Sequence, residues 1–342
     1  MSASELELIQ RIRRAVGTPG RATLVGIGDD AAVYEPTGDL ELITTDAFAE
    51  GIHFRREFAS WREIGAKLLV SNVSDIAAMG GFPTRAVVSL AVPGDVAAED
   101  VEELYDGMLE AGGRYGVELV GGDIVGSPGG LFASVAMLGT VDRERTVTRS
   151  GAVVGDVVLV TGRLGAAEAG LRALLEDLPD EGAVPAAKRR HLAPRARITE
   201  AQAFIDVATP HAMIDISDGL ASEVRHLAEE SGVGMAVRAE SIPVAPEAIE
   251  VAGRLGLDPL TLALGSGEEF ELLVAIPSSE VTRTVEHVMA VTGTAVAAIG
   301  EVIESGKGCI MVGAGGETGP LPRAGYEHLS PPDDPDTGGT AP

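Results

Sequence analysis

The 342-residue chain has one cysteine, Cys309, and only three lysines, Lys67, Lys188 and Lys307, among its 26 basic residues. A single thiol excludes an internal disulfide and matches the usage of a reducing compartment, so a cytoplasmic protein is expected. Basic residues are outnumbered by 52 Asp plus Glu, which leaves a formal charge of −26. That balance argues against a broad nucleic-acid or anionic-membrane surface, because phosphates are bound by clustered Lys and Arg. No apolar run reaches the roughly 18 residues of a membrane span. The charged, periodic stretch Met1–Arg14 does not read as a signal peptide. Aromatics are 4% of the chain against 45% hydrophobic residues, so Ala, Val, Leu and Ile must build the cores.

Several motifs are absent as well. Without GxxxxGK[ST], a Walker-type phosphate loop is excluded. Gly26-Ile27-Gly28 is too short for a dinucleotide fingerprint, and Asp29 and Asp30 beside it would repel a pyrophosphate. No HExxH or CxxC pattern offers a zinc site. The protein-kinase motifs are missing, and Ser217 lies in DISDG rather than in a GxSxG elbow.

What the chain does have is alternating helical and strand patterning over a length that suits two domains. Helices are expected over Ser4–Val16, Trp61–Met79 and Ala97–Tyr115, and strands over Glu41–Thr45, Arg85–Val92 and Leu131–Val141. A fresh series begins after Gly151–Asp156. It has strands at Val157–Val160, AMIDI, Gly234–Val237, Phe270–Ile276 and Ala297–Val302. Helices are expected at Ala166–Leu178, Ile198–Val207, Asp218–Ser231 and Ser279–Val291. The expected division is 1–150, 151–330 and a disordered tail, 331–342, that lacks large apolar side chains. The fold class is mixed α/β (α+β) in two successive domains.

The acidic residues are of two kinds. Glu99, Asp100, Glu102 and Glu103 belong to a solvated helix face. A second set, Asp29, Asp30, Asp46, Asp75, Asp123, Asp215 and Asp218, reads as lying at strand ends or in Gly-flanked turns. Any one of them has an ordinary explanation in turn or capping chemistry. Seven recurring together favour a multi-metal phosphate site, since carboxylates gathered in one place repel unless a hard cation such as Mg²⁺ joins them.

The ordered motifs GIGDDAAV, TTDAFAEGIHF, KLLVSNVSDIAAMGGFP, GGD, TRSGAVVGDVVLVTG, HLAPRARI, IDISDGLASEVRHLAEESGVG, GSGEEFEL and GYEHL run from near the N-terminus to Tyr326. In that order and spacing the chain resembles the thiamine-monophosphate kinases. These share a superfamily with aminoimidazole ribonucleotide synthetase, selenophosphate synthetase and a hydrogenase maturation factor. The resemblance implies transfer of the γ-phosphoryl group of ATP to thiamine monophosphate, with several Mg²⁺ ions and ATP as co-substrate. It implies a homodimer whose N-terminal mixed sheets, with helices on one face, join in a barrel-like core, and an active site in a cleft between domains. It assigns Asp30, Thr44, Thr45, Asp46, Asp75, Asp123, Asp215 and Asp218 to metal, with Asp30, Asp75 and Asp215 at the heart of the chemistry. Tyr105, Gly122, Asp123, Arg149 and Ser217 match ATP-contacting positions, and His53, Glu268 and Tyr326 match positions that hold the thiamine phosphate.

On residue chemistry alone, Arg149 suits bidentate phosphate binding. His53 after a glycine turn is as readily a structural hydrogen-bonder. One of Glu268 and Glu269 is readily a solvated strand start. Where the family commonly reads GGEDYEL this chain has Glu269 for Asp and Phe270 for Tyr, and Ile124-Val125-Gly126 follows GGD. Two alternatives therefore stay open. One is a relative acting on another phosphate acceptor; the other is a non-catalytic nucleotide-binding relative. Selenophosphate synthetase would need a reactive Cys near its N-terminal glycine segment, and the hydrogenase factor a C-terminal Cys; neither is present.

Overall fold

The computed structural model describes residues 5–17, 23–25, 33–36 and 39–326. Asp29, Asp30 and the expected tail lie outside them. The chain divides into two compact units after Glu144, with Ala77–Gly80 belonging to the second.

In the first unit, α1 (Glu5–Val16) and a two-stranded ribbon of β1 (Thr23–Val25) and β2 (Val33–Tyr34) come first. There follow β3 (Leu40–Ala49), α2 (Trp61–Ala78), β4 (Phe82–Pro93), α3 (Ala98–Tyr115), β5 (Glu118–Ser127) and β6 (Phe132–Val141). The sheet order is β3-β6-β4-β5, antiparallel except for the parallel β4–β5 pair, whose crossover carries α3. Side chains alternate between faces with period two. Ala86, Val88 and Leu90 of β4 and Ala133, Val135 and Met137 of β6 are buried on one face. A Cβ on Gly139 of β6 would meet Ile76 of α2, which puts that helix on the same face. Ile43 (77% exposed), Val87, Val125 and Phe132 stand on the other face, bare. The sheet is open, not a closed barrel.

Helices α2 and α3 touch backbone to backbone. A Cβ on Gly65 would lie 1.9 Å from the Leu104 carbonyl oxygen, and one on Gly107 would lie 1.9 Å from that of Arg62.

The second unit runs β7 (Val157–Thr161), α4 (Ala166–Leu175), α5 (Val184–Leu192), α6 (Ile198–Val207), β8 (Ala212–Asp215), α7 (Leu220–Ser231) and β9 (Gly234–Arg238). It continues with α8 (Pro246–Leu255), α9 (Pro259–Gly265), β10 (Leu272–Ile276), α10 (Val281–Thr292), β11 (Val296–Ile303), β12 (Cys309–Val312) and β13 (Thr318–Pro320). Seven strands form a mixed sheet in the order β13-β12-β9-β11-β7-β10-β8. Its central strands read as continuous apolar runs because both faces are covered. Val158, Val160, Leu273 and Ala275 pack with α7. Leu159, Leu272, Val274 and Ile276 pack with Phe204 of α6 and Val288 of α10.

Three of the expected turn aspartates are not in turns. Asp46 is inside β3, Asp75 is inside α2 and Asp123 is inside β5. Polar residues at 44–46 do not end β3, because its pairing with β6 runs on from Leu40 to Ala49. Gly121-Gly122 is not a turn either. A Cβ on Gly122 would sit 2.3 Å from the Val88 oxygen, so glycine here answers the close approach of a neighbouring strand. Strand β10 begins at Leu272 rather than Phe270, whose φ of +52° cannot continue a ladder. Helix α7 starts after an extended Gly219 with φ of +116°, leaving Asp218 in the loop before it. Helix α4 ends at Leu175, short of the expected Leu178. Helices α5, α8 and α9, each with a proline in its first turn, were not expected from the pattern. Proline there reads as a breaker in a chain scan, yet it suits a helix start.

Candidate active site

The first cluster lies between β3 and α2. Period two puts Thr44 and Asp46 on the face that looks at the helix. The Thr44 hydroxyl donates to Asp75 Oδ2 at 2.5 Å, and the Asp46 amide donates to Asn72 Oδ1 at 3.1 Å. Asn72 is itself braced by donating to the Leu68 carbonyl. Burial pushes the Asp46 carboxyl above its usual range, and a hydrogen bond with Ser71 pulls it part of the way back. Thr45 points to the bare face, where its hydroxyl is 3.2 Å from Ser134 Oγ.

Asp123 is not brought to this cluster within one chain. Asp46 pairs with Val135, Val135 with Val88 and Val88 with Gly122, so three strand spacings separate β3 from β5. At about 4.8 Å per spacing that is roughly 14 Å. Asp123 is aligned with Ser89 and Ser134, on the same bare face as Thr45. Tyr105 is buried on the inner side of α3 beside Leu104 and Met108, and burial pushes its phenol well above the usual value. His53 closes a turn that Gly51 opens with φ of +85°. The Ala49 amide donates to His53 Nδ1 at 3.1 Å, and the ring stacks on Phe48 with centroids 5.1 Å apart. Nδ1 thereby accepts a backbone hydrogen bond within its own turn.

The second cluster is assembled by backbone hydrogen bonds. The Phe270 amide donates to the Ile216 carbonyl, the Glu268 amide to that of Ser217 and the Tyr326 amide to that of Asp218, at 2.9, 2.7 and 3.0 Å. Four residues singled out in the sequence, Ser217, Asp218, Glu268 and Tyr326, thus meet although more than a hundred positions separate the first from the last. Asp215 is buried at the end of β8, one residue before this ladder. Glu223 of α7 holds the DISDG loop in shape, accepting from the Asp218 amide at 3.1 Å and from the Ser217 hydroxyl at 3.4 Å. Its other oxygen is 3.1 Å from His226 Nδ1, and that hydrogen bond raises the His226 pKa. Arg149 is exposed, and its carbonyl accepts from Ser231 Oγ.

Beneath Glu268 lies an ionic network that residue-by-residue reading missed. Glu269 and Glu271, each 1% exposed, point into the protein. Neither is a solvated strand start. Arg197 grips Glu271 with both arms, Nε to Oε2 at 2.7 Å and Nη2 to Oε1 at 2.5 Å. Thr161 donates to Oε2 at 2.7 Å, and Arg190 reaches both glutamates. Burial alone would lower the Arg197 pKa, but Glu271 and Glu200 outweigh it and hold the guanidinium above its ordinary value. The signal was present in HLAPRARI and in a charged residue directly before the apolar run LLVAI. Because Glu269 and Phe270 are both interior, the two departures from the family pattern there fall in packing rather than on an exposed surface.

Among the described residues, no group of three or more His, Cys, Asp or Glu stands close enough to hold a metal ion unaided. The donors on offer around Asp46, Asp75 and Thr44 are all oxygens. Such a set fits a hard cation of the Mg²⁺ kind, which commonly takes one or two carboxylates and fills its shell with water and phosphate oxygens.

Residues 28–141 match the N-terminal domain, and residues 153–313 the C-terminal domain, of the AIR synthase related proteins. The two matched domains account for both compact units of the fold. Within it, the chain is 34% identical over 309 residues to the thiamine-monophosphate kinase of Bacillus subtilis (strain 168), covering 89% of this chain and 93% of the relative. It superposes on the crystal structure of thiamine-monophosphate kinase from Stenotrophomonas maltophilia K279a with a TM-score of 0.80 at 30% identity, covering 91% and 97% of the two chains. A structure of AaThiL complexed with AMPPCP and TMP matches with a TM-score of 0.76 at 34% identity, over 95% and 97%. The chain belongs to the thiamine-monophosphate kinase family.

Proposed function

We propose that this chain transfers the γ-phosphoryl group of ATP to thiamine monophosphate, giving thiamine diphosphate and ADP by direct in-line displacement. The observation that carries this reading is the backbone ladder gathering Ser217, Asp218, Glu268 and Tyr326 in a member of this family. It is supported by the related AaThiL having been solved with AMPPCP and TMP together.

Both reactants are phosphate anions. Two unit charges about 4 Å apart repel by roughly 4 kcal/mol at an effective dielectric near 20. Several bound Mg²⁺ ions would offset that repulsion and stabilise charge on the equatorial oxygens of the transition state. In this reading Thr44, Thr45, Asp46, Asp75, Asp123, Asp215 and Asp218 hold them, together with Asp30. Tyr105, Gly122, Asp123, Arg149 and Ser217 serve ATP, and the Arg149 guanidinium is suited to pair with its phosphates. The acceptor is already a phosphate dianion, so no strong general base is needed. His53 and Glu268 hold the thiamine phosphate, and Tyr326 offers a flat face to its cationic ring. Among the described residues no helix is long and apolar enough to cross a membrane; with the single thiol, this fits a cytoplasmic enzyme.

The same reading includes a homodimer formed through the bare sheet face. Thr45 and Asp123 both emerge there, and roughly three strand spacings part β3 from β5 within one chain. A second copy against this face offers a way to gather them.

Full-length protein with ATP, Mg²⁺ and thiamine monophosphate is expected to yield thiamine diphosphate, detected by chromatography. Asp75→Asn is expected to lower turnover at least about 100-fold while circular dichroism stays unchanged. Absence of product at micromolar enzyme with ATP still bound would sink the acceptor assignment alone.

A further inference from the structure

The segment 265–271 turns two non-glycine residues, Glu268 and Phe270, into the left-handed region at φ of +57° and +52°. Each such residue is strained and persists only where its surroundings impose it. Glu269, between them, points the opposite way from the ladder. Its Oε1 accepts from the Gly165 amide at 2.7 Å, the Ala167 amide at 3.1 Å and the Ser266 hydroxyl at 2.7 Å. Ser266 Oγ in turn accepts from the Glu168 amide at 3.0 Å. The loop is thus sewn to the first turn of α4, where unsatisfied amides and the helix dipole favour a carboxylate.

Helix α5 ties both sides of the loop. Arg190 Nη2 is 3.4 Å from Glu269 Oε2 and 3.2 Å from Glu271 Oε1. The next residue, His191, places Nδ1 3.6 Å from Glu268 Oε2. Glu269 and Arg190 are thus each one residue away from the pair formed by the partly exposed Glu268 and the buried His191.

We propose that Glu269 is a positioning residue for thiamine-phosphate binding, acting with Arg190 by fixing the backbone that presents Glu268 beside His191. The proposal rests on the reading of Glu268 as a substrate-binding residue. A carboxylate held in register by a rigid frame binds a charged ligand far better than one on a loop free to shift by an ångström.

The experiment measures kcat and both KM values for full-length Glu269→Ala, Glu269→Gln, Arg190→Gln and Glu268→Ala, with melting temperatures alongside. Glu269→Ala and Arg190→Gln are expected to raise KM for thiamine monophosphate by about tenfold or more. KM for ATP should stay within about twofold, since only the acceptor's contacts are loosened. Glu269→Gln, which keeps an acceptor for the α4 amides and loses the charge and the acceptor facing Arg190, should fall between these and the parent. A merely structural role would lower the melting temperature and leave the two KM values unchanged or shifted alike, and that result overturns the proposal. If Glu269→Ala does not fold, Glu269→Gln and Arg190→Gln decide by the same criterion. Glu268→Ala separates the two ideas: an unchanged KM there sinks the substrate reading. A raised KM there with Glu269 and Arg190 variants unaffected sinks the positioning proposal alone.

Discussion

Glu271 shows how a charge is kept inside an apolar sheet. Each oxygen has an arginine nitrogen and further support: Arg197 and Thr161 for Oε2, Arg197 and Arg190 for Oε1. Truncating one side would strand the other charge in low dielectric. Arg197→Ala is expected to cost about 3–5 kcal/mol of folding stability, read from the urea midpoint. Replacing Arg197 and Glu271 together with Met should cost less than Arg197→Ala alone, because Glu271 then leaves with its partner and only Glu200 loses an arginine. A single-variant loss under about 1 kcal/mol would class the pair with exposed ones. At this scale the candidates Asp46, Asp75, Ser217, Asp218, Glu268 and Tyr326 could be named from motifs, and backbone hydrogen bonds bring the last four together. The direction of a side chain was not legible. Glu268 and Glu269 are adjacent and chemically alike, and only two positive φ angles decide which one is presented and which is buried.

Elements with a clean period were read to within a residue or two, as in α3 and α6, where one apolar stripe faces one core. Those misread share a cause, for their local chemistry has two uses. Proline starts α5, α8 and α9 rather than breaking them. Gly122 lets β5 approach β4 instead of turning the chain. The glycines of α2 and α3 are of the same kind, admitting a neighbour's backbone where any Cβ would collide. Gly107→Ala, although a gain in helix propensity of roughly 1 kcal/mol, is expected to destabilise by about 3 kcal/mol through overpacking. Denaturant unfolding of the variant checks this, and a gain in stability would show that α2 and α3 can part at no cost. Moving α2 would also move Asp75 and Asn72, so activity should fall with stability.

For the whole molecule, the bare sheet face is the feature that asks for a partner. Light scattering should give twice the 35.1 kDa chain mass, and Ile43→Arg, a charge on the most exposed apolar side chain there, should shift the species toward one chain. Mixing Thr45→Val and Asp123→Asn proteins, each expected to be inactive alone, after joint refolding should restore on the order of a quarter of parental activity if one intact site can form per mixed dimer. No recovery, with dimers present, would mean that each chain completes its own site.

The order of motifs along the chain carries the family, and residue identity carries the oxygen-only chemistry of its candidate ligands. These follow from residue identity, charge and spacing, which need no folding to be read. The tertiary structure alone decides which of 52 acidic side chains converge. Strand register puts Asp46 and Asp123 in neighbouring rows but on opposite faces, and four backbone hydrogen bonds tie 216–218 to 268–271 and 326. Contacts over such separations are set by packing and by the need to pair every buried amide, and no local pattern encodes them.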